Sequence, residues 1–244
     1  MKYRYFAPTV VGAALLAVVS FGFIPAASAD TTTTTTTTNP ASFSQLQAKI
    51  ESQLAARQTQ LAKLTTEVSS STTLTSSDAA ALQSSLSTET SNINGLIAKV
   101  PNDTTLSELR SDQQAMFQDN RVFAVMSPQV NLTIAADTVN ANAGKILADD
   151  PAIEAALTAR QTDAGYARAE ALLAYSTAKA NVAETAMGGV SADVLAQTPA
   201  GWPGNEHVFV QARVEILRGR IDLVYSRADL RLVERWINEH PAGA

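Results

Sequence analysis

The chain has no cysteine. That excludes disulfide staples, a thiol nucleophile, thiolate metal ligands and a lipid-modified N-terminal cysteine. Histidine is nearly as scarce, with only His207 and His240. A Ser-His-acid triad needs a histidine beside its serine, and no serine lies in a G-x-S-x-G turn. A catalytic zinc wants three protein ligands. Here Glu206-His207 and the group Glu234, Glu239 and His240 sit at opposite ends of one expected helix, ~45 Å apart at 1.5 Å per residue. No H-E-x-x-H pattern, calcium loop or Gly-rich phosphate loop is present, and Gly188-Gly189 follows a helical pattern rather than a strand. No catalytic residue, metal-ligand set or cofactor-binding motif is therefore assigned, and the chain is expected not to be an enzyme.

Long apolar runs are missing as well, with one exception. Val10 to Ile24 is apolar, follows Lys2 and Arg4, and is closed by Pro25 and the small residues Ala27-Ser28-Ala29. This is the pattern of an export signal cleaved before Asp30, and the run is shorter than the ~20 residues a spanning helix needs. The expected location is secreted, extracellular or in the cell envelope, with no membrane span once the signal is cut. Cleavage takes the formal charge from −5 to −7, because the signal holds two bases and no acid. An acidic chain suits neither nucleic acid nor an anionic membrane surface.

What is present is helical periodicity. Residues 31–38 are all threonine and have nothing to bury, so 30–41 reads as a disordered leader. From Phe43 the apolar positions Leu46, Ile50, Leu54, Leu61, Leu64 and Val68 recur at three, four or seven residues. Ser69 to Ser77 reads as a turn, and Asp78 as the N-cap of a second helix carrying Leu82, Leu86, Ile93, Ile97 and Val100. The region 42–100 is thus a helical hairpin, with polar faces of Ser, Thr and Gln, and is the softer part of the molecule.

The region 101–238 reads as a helical bundle, followed by a tail at 239–244. A helix is expected from about Asp103. Val122 to Met126 could be strand or helix, and helix is preferred because Leu132, Ala136, Val139, Ala143 and Ile146 continue a stripe. Pro128 is expected to kink or split that helix near Met126. Asp149-Asp150-Pro151 reads as a new helix start and Gly188-Gly189 as its end, with Ile153, Leu157, Ala164, Ala167, Ala171, Tyr175, Ala178 and Val182 as its seam. A connector with a short helix at 191–197 leads to the last helix, about 206–238. There Phe209, Ile216, Leu223, Leu230 and Ile237 are seven apart, as are Ala212, Gly219, Ser226 and Val233. These two long helices are expected to pair antiparallel, with Arg213, Arg220 and Arg227 facing Glu154, Asp163 and Glu170. The fold class is all-α: an elongated helical bundle with antiparallel coiled-coil-like helix pairs.

Three segments resemble uncharacterised secreted helical proteins found in actinobacteria: Arg121-Val122-Phe123 through Asp137, Leu195 through Asn205, and Arg227-Ala228-Asp229-Leu230-Arg231. The resemblance spans about residues 40–238. It implies a secreted helical fold and no assigned activity.

The functional expectation is an exported, non-enzymatic interaction or spacer module with a protein or cell-envelope partner. The hairpin is the expected contact surface, and the paired heptads also allow a homo-oligomer. Contact residues outside the hairpin are Trp202, held between Gly201 and Pro203, together with Tyr175 and Tyr166. For Trp202 the alternative role is a plug over the end of the bundle. A second reading is a small-molecule or glycan-binding bundle with its pocket near Pro128 and these aromatics. A third is a hydrolase using paired acids.

Overall fold

The computed structural model of the protein describes residues 40–241, so the expected export signal and the threonine tract lie outside the described residues. Six α-helices and no strand build an all-α bundle within them. α1 (Pro40–Ser70) and α2 (Ser76–Lys99) run antiparallel, tied by the Gln47 amide to the Val100 carbonyl at 3.1 Å and by Gln58 to Asn94 at 3.0 Å. The stripes read from the sequence face each other: Ile50, Leu54, Leu61, Leu64 and Val68 are buried against Leu82, Leu86, Ile93 and Val100. The cap of α2 is Thr75 rather than Asp78, and its hydroxyl accepts the Asp78 N–H at 3.1 Å. The Thr75 N–H is itself held by the Asp137 carboxylate at 2.9 Å, which fixes the extended backbone a cap needs. Asp78 then falls in the first turn, where a negative charge favours the helix N-terminus.

α3 (Leu106–Gln118) starts behind a capping box made by Thr105 and Glu108. The segment Val122–Met126 is neither strand nor α-helix but a π-helical turn, with the Met126 N–H reaching the Arg121 carbonyl at 3.3 Å. It leads directly into α4 (Ser127–Thr158). The helical path divides at Met126–Ser127, where the π-turn gives way to α4, as expected of Pro128 one residue on, which has no N–H to offer the preceding turn.

α4 does not stop at Asp149-Asp150. It continues through Pro151 to Thr158. The reason is its buried stripe. Leu132, Ala136, Val139, Ala143, Ile146 and Leu157 keep one helical phase, with Ile153 packed alongside, so a break at Pro151 would pull Leu157 out of the core. The chain turns instead at 159–165, where Gly165 has φ 88° and the Trp236 indole leaves no room for a Cβ. α5 (Tyr166–Leu195) and α6 (Glu206–Glu239) complete the bundle. The pairs Asp137–Ser191 and Asp150–Thr177 run α4 and α5 antiparallel, and Ser176–Ser226 and Lys179–Asp222 do the same for α5 and α6.

The seam expected for α5 is displaced. Ala164, Ala167, Ala171, Tyr175, Ala178 and Val182 are exposed, and the buried rows are Ala169, Ser176, Ala183 and Val190 with Leu173, Ala180, Met187 and Val194. The 159–165 turn resets the helical phase, so a stripe carried forward from Ile153 lands on the wrong face. Gly188-Gly189 does not end α5, which absorbs the short helix expected at 191–197 up to Leu195. Neither glycine has an atom within 4 Å of where a Cβ would stand. Replacing either with Ala is expected to raise stability by ~0.5–1 kcal/mol, measured by urea unfolding, because helix-interior glycine loses that much to backbone entropy.

In α6 the expected seam is correct: Phe209, Ala212, Ile216, Gly219, Leu223, Ser226, Leu230 and Val233 are all buried. The charge pairing is different. Lys179 meets Asp222 at 2.7 Å and Arg227 donates to Asn142 at 3.0 Å. Apolar packing forms two clusters, one of α1–α3, the π-turn and Val130, the other of α4–α6.

Candidate interaction surface

The two histidines serve helix ends. His207 Nδ1 lies 2.8 Å from the Gly204 carbonyl, and His240 Nδ1 lies 2.9 Å from that of Trp236. Among the described residues no group of three or more His, Asp or Glu side chains could hold a metal ion. The buried charges are structural in placement. Arg57 and Glu89 each occupy a core position of the α1–α2 hairpin. The Arg57 guanidinium stands 4.9 Å from the Phe117 ring and 5.5 Å from that of Phe123, and donates to the Gln53 carbonyl. Burial pushes the Glu89 carboxyl up to about 7, while the Arg57 charge pulls it the other way. Asp137, also raised by burial, joins three elements by accepting from Thr75 and from the Ser191 hydroxyl at 3.0 Å.

The contact residues read from the sequence are not brought together. Trp202 is half-buried and packs against the α4–α6 core, as a plug would. Tyr166 is also half-buried; its ring meets Trp236 edge-on with centroids 6.5 Å apart, and its hydroxyl reaches Glu170. Tyr175 is half exposed, with the Lys179 ammonium 5.6 Å from its ring. Tyr166 and Trp202 lie at opposite ends of α5, ~45 Å apart along a 30-residue helix. A shallow cleft of about 320 Å³ opens between the end of α5 and the start of α6, lined by Asp193, Gln197, His207, Gln211 and Glu215 among others, but by none of Pro128, Tyr166, Tyr175 and Trp202.

The feature that sequence reasoning missed is on α6. Val210, Val214, Leu217, Ile221 and Val224 alternate at spacings of four and three and are 44–65% exposed. Ala228 continues the row, also exposed. At 100° per residue this stripe lies roughly 140° around the helix from the buried seam. α6 thus carries two seven-residue apolar rows, one covered by α4 and α5 and one facing solvent. Tyr225 and Leu232 widen the exposed row. Exposed large hydrophobics are absent from 42–100, where the outward positions are Ser, Thr, Gln, Ala and scattered charges. The signal was in the sequence. Val210, Val214, Leu217, Ile221 and Val224 hold a seven-residue repeat of their own beside the Phe209 row.

Charge around the exposed row is uneven. Arg213, Arg220 and Arg227 follow one edge at seven-residue intervals. Gln211, Arg218 and Tyr225 follow the other, with Glu215, Asp222 and Asp229 beyond them. Two of these acids are engaged, Glu215 by Arg218 and Asp222 by Lys179, each at 2.7 Å. Arg231 and Arg235 stand where the row would continue. Comparison with protein-family models, curated proteins and solved structures found no match to this chain.

Proposed function

We propose that this protein is an exported, non-enzymatic helical module that binds a macromolecular partner in the cell envelope or outside the cell, through the outer face of α6. The single observation that carries the reading is the continuous exposed row Val210–Val224. A contiguous exposed apolar row of this kind marks interaction sites. The export pattern at 1–29 and the resemblance of three segments to secreted helical proteins support the proposed location. The bundle presents this face of one long helix to solvent and keeps Arg57, Glu89 and Asp137 within its core.

The row alone gives only weak binding. Withdrawing five half-exposed Val, Leu or Ile side chains from water yields roughly 1 kcal/mol each. Association itself costs about 4 kcal/mol or more. Affinity and selectivity therefore fall to the flanking groups. A photo-crosslinking residue placed at Leu217, in cells producing the protein, is expected to give a discrete adduct, and one at Ser84 on α2 to give none. The reverse pattern would move the contact to the hairpin, and adducts from neither site would reject the contact reading. A second reading, a small-molecule-binding bundle, is favoured by the cleft beside His207, which mixes apolar and polar side chains.

A further inference from the structure

Resting on the α6 contact face, we propose that the occupant is an amphipathic α-helix of another protein, acidic along one edge, laid along Val210–Ala228. The spacing identifies a helix. Steps of four and three average 3.5 residues per turn, and a straight α-helix drifts ~20° per heptad from that repeat. Only a partner helix winding with α6 in a left-handed pair keeps such a row in contact along its length. In that register Val214, Ile221 and Ala228 form one core position, and Val210, Leu217 and Val224 the other.

Charge then identifies which helix. The next two core positions after Ala228 and Val224 are Arg235 and Arg231. The position beside the first core row is Arg213, Arg220, Arg227 and finally Glu234. Arg220, Arg231 and Arg235 make no ion pair or hydrogen bond among the described residues. A partner with acids facing this edge and this end meets each of them with an opposite charge, which sets register and rejects wrong partners.

The same geometry disfavours a second copy of the chain. A parallel pair would set Arg231 and Arg235 against their own equivalents, and an antiparallel pair would bring the two arginine edges face to face. It also disfavours a membrane surface. An interfacial helix carries cations along its polar face, whereas here Glu215, Asp222 and Asp229 border one side.

The test uses the full chain without its signal and two synthetic 28-residue helical peptides. Both carry Leu at the core positions, one with Glu and one with Lys at the flanking positions. Fluorescence anisotropy at physiological salt is expected to show the Glu peptide binding at least tenfold more tightly. Arg220→Glu with Arg231→Glu is expected to invert that preference, and Leu217→Asp to abolish binding of both. All three side chains are exposed, so circular dichroism is expected to stay unchanged. Equal binding of the two peptides would overturn the proposal. So would Leu217-dependent self-association in sedimentation equilibrium, or binding to phosphatidylglycerol vesicles in place of either peptide. A crosslink from Leu217 in cells without a preference for the Glu peptide would reject the acidic helix and leave α6 as the contact face.

Discussion

Between pH 4.5 and 7 the folded protein is expected to become less stable as pH rises, by up to about 3 kcal/mol, and Glu89→Gln is expected to remove most of that slope. The Glu89 carboxyl goes from 4.5 in the unfolded chain to about 7 in the fold, chiefly because burial disfavours its charged form. Between those values the folded state keeps a proton that the unfolded state has released. The contribution is complete below 4.5, where both states are protonated, and is lost as pH climbs through 7. Urea unfolding at half-unit intervals from pH 4.5 to 8 measures it directly. A flat wild-type profile would show that Glu89 is not held in its neutral form.

Asp137 and Glu108 bear on the pH dependence differently. Asp137 is raised by burial and adds a smaller slope of the same sign, which survives in Glu89→Gln. Glu108 is held low by N–H and hydroxyl donors from Thr104 and Thr105, so the stability its capping box adds is complete above 4.5 and is lost only as pH falls below that. Arg57 is the cation that favours the Glu89 carboxylate. Arg57→Met is therefore expected to enlarge the loss and carry it to higher pH, with its onset still at 4.5, since the apolar replacement removes that attraction and leaves the burial.

Gly219→Leu is expected to cost about 3 kcal/mol, near the upper end of overpacking penalties. Gly219 lies where α6 meets both α4 and α5. A Cβ there would stand 3.0 Å from Val139 Cγ1 and 3.3 Å from Met187 Cε. The backbone approach is set by Ala212, Gly219 and Ser226, three small residues seven apart, and a leucine in the middle must pry the helices open along several turns. Thermal unfolding with the Gly188→Ala variant beside it checks the argument, because there the same kind of change is expected to stabilise. If Gly219→Leu were neutral, the three-helix junction would be looser than its geometry shows.

The hairpin and the last helix were legible because each has strong contrast between apolar and polar positions. α1 turns Leu54, Leu61 and Leu64 inward against an outer face of Ala, Gln, Thr and Lys, so one phase fits. α5 offers nine alanines spread around the helix, and alanine is indifferent to burial, so Ala167–Ala171–Tyr175 and Ala169–Leu173–Ser176 read equally well. Pro151 and Gly188-Gly189 are strong local stop signals, yet both lie inside helices because the packed stripe outweighs a local preference.

The candidate surface was half legible. The jumps from Leu54 to Leu61 and from Leu86 to Ile93 skip the core positions of Arg57 and Glu89, and a seven-residue gap filled by a charge on each helix is a visible sign of buried charge. The outer row of α6 was equally visible. It was missed because one helix was allowed one apolar stripe. That Trp202 and Tyr166 pack against the bundle needed the turn at 159–165 and the connector at 196–205, whose paths no periodicity encodes.

The separation of the two apolar clusters at the π-turn bears on how the chain acquires its structure. One cluster draws on Ile50–Val130 and the other on Val125–Val233, so each closes over a contiguous stretch of chain. Sequence-local partners keep loop-closure entropy small and speed assembly. For a chain delivered N-terminus first, the first cluster has its buried members in hand before most of the second has arrived. The bundle is built for vectorial maturation in two instalments, with Val122–Met126 as the joint between them.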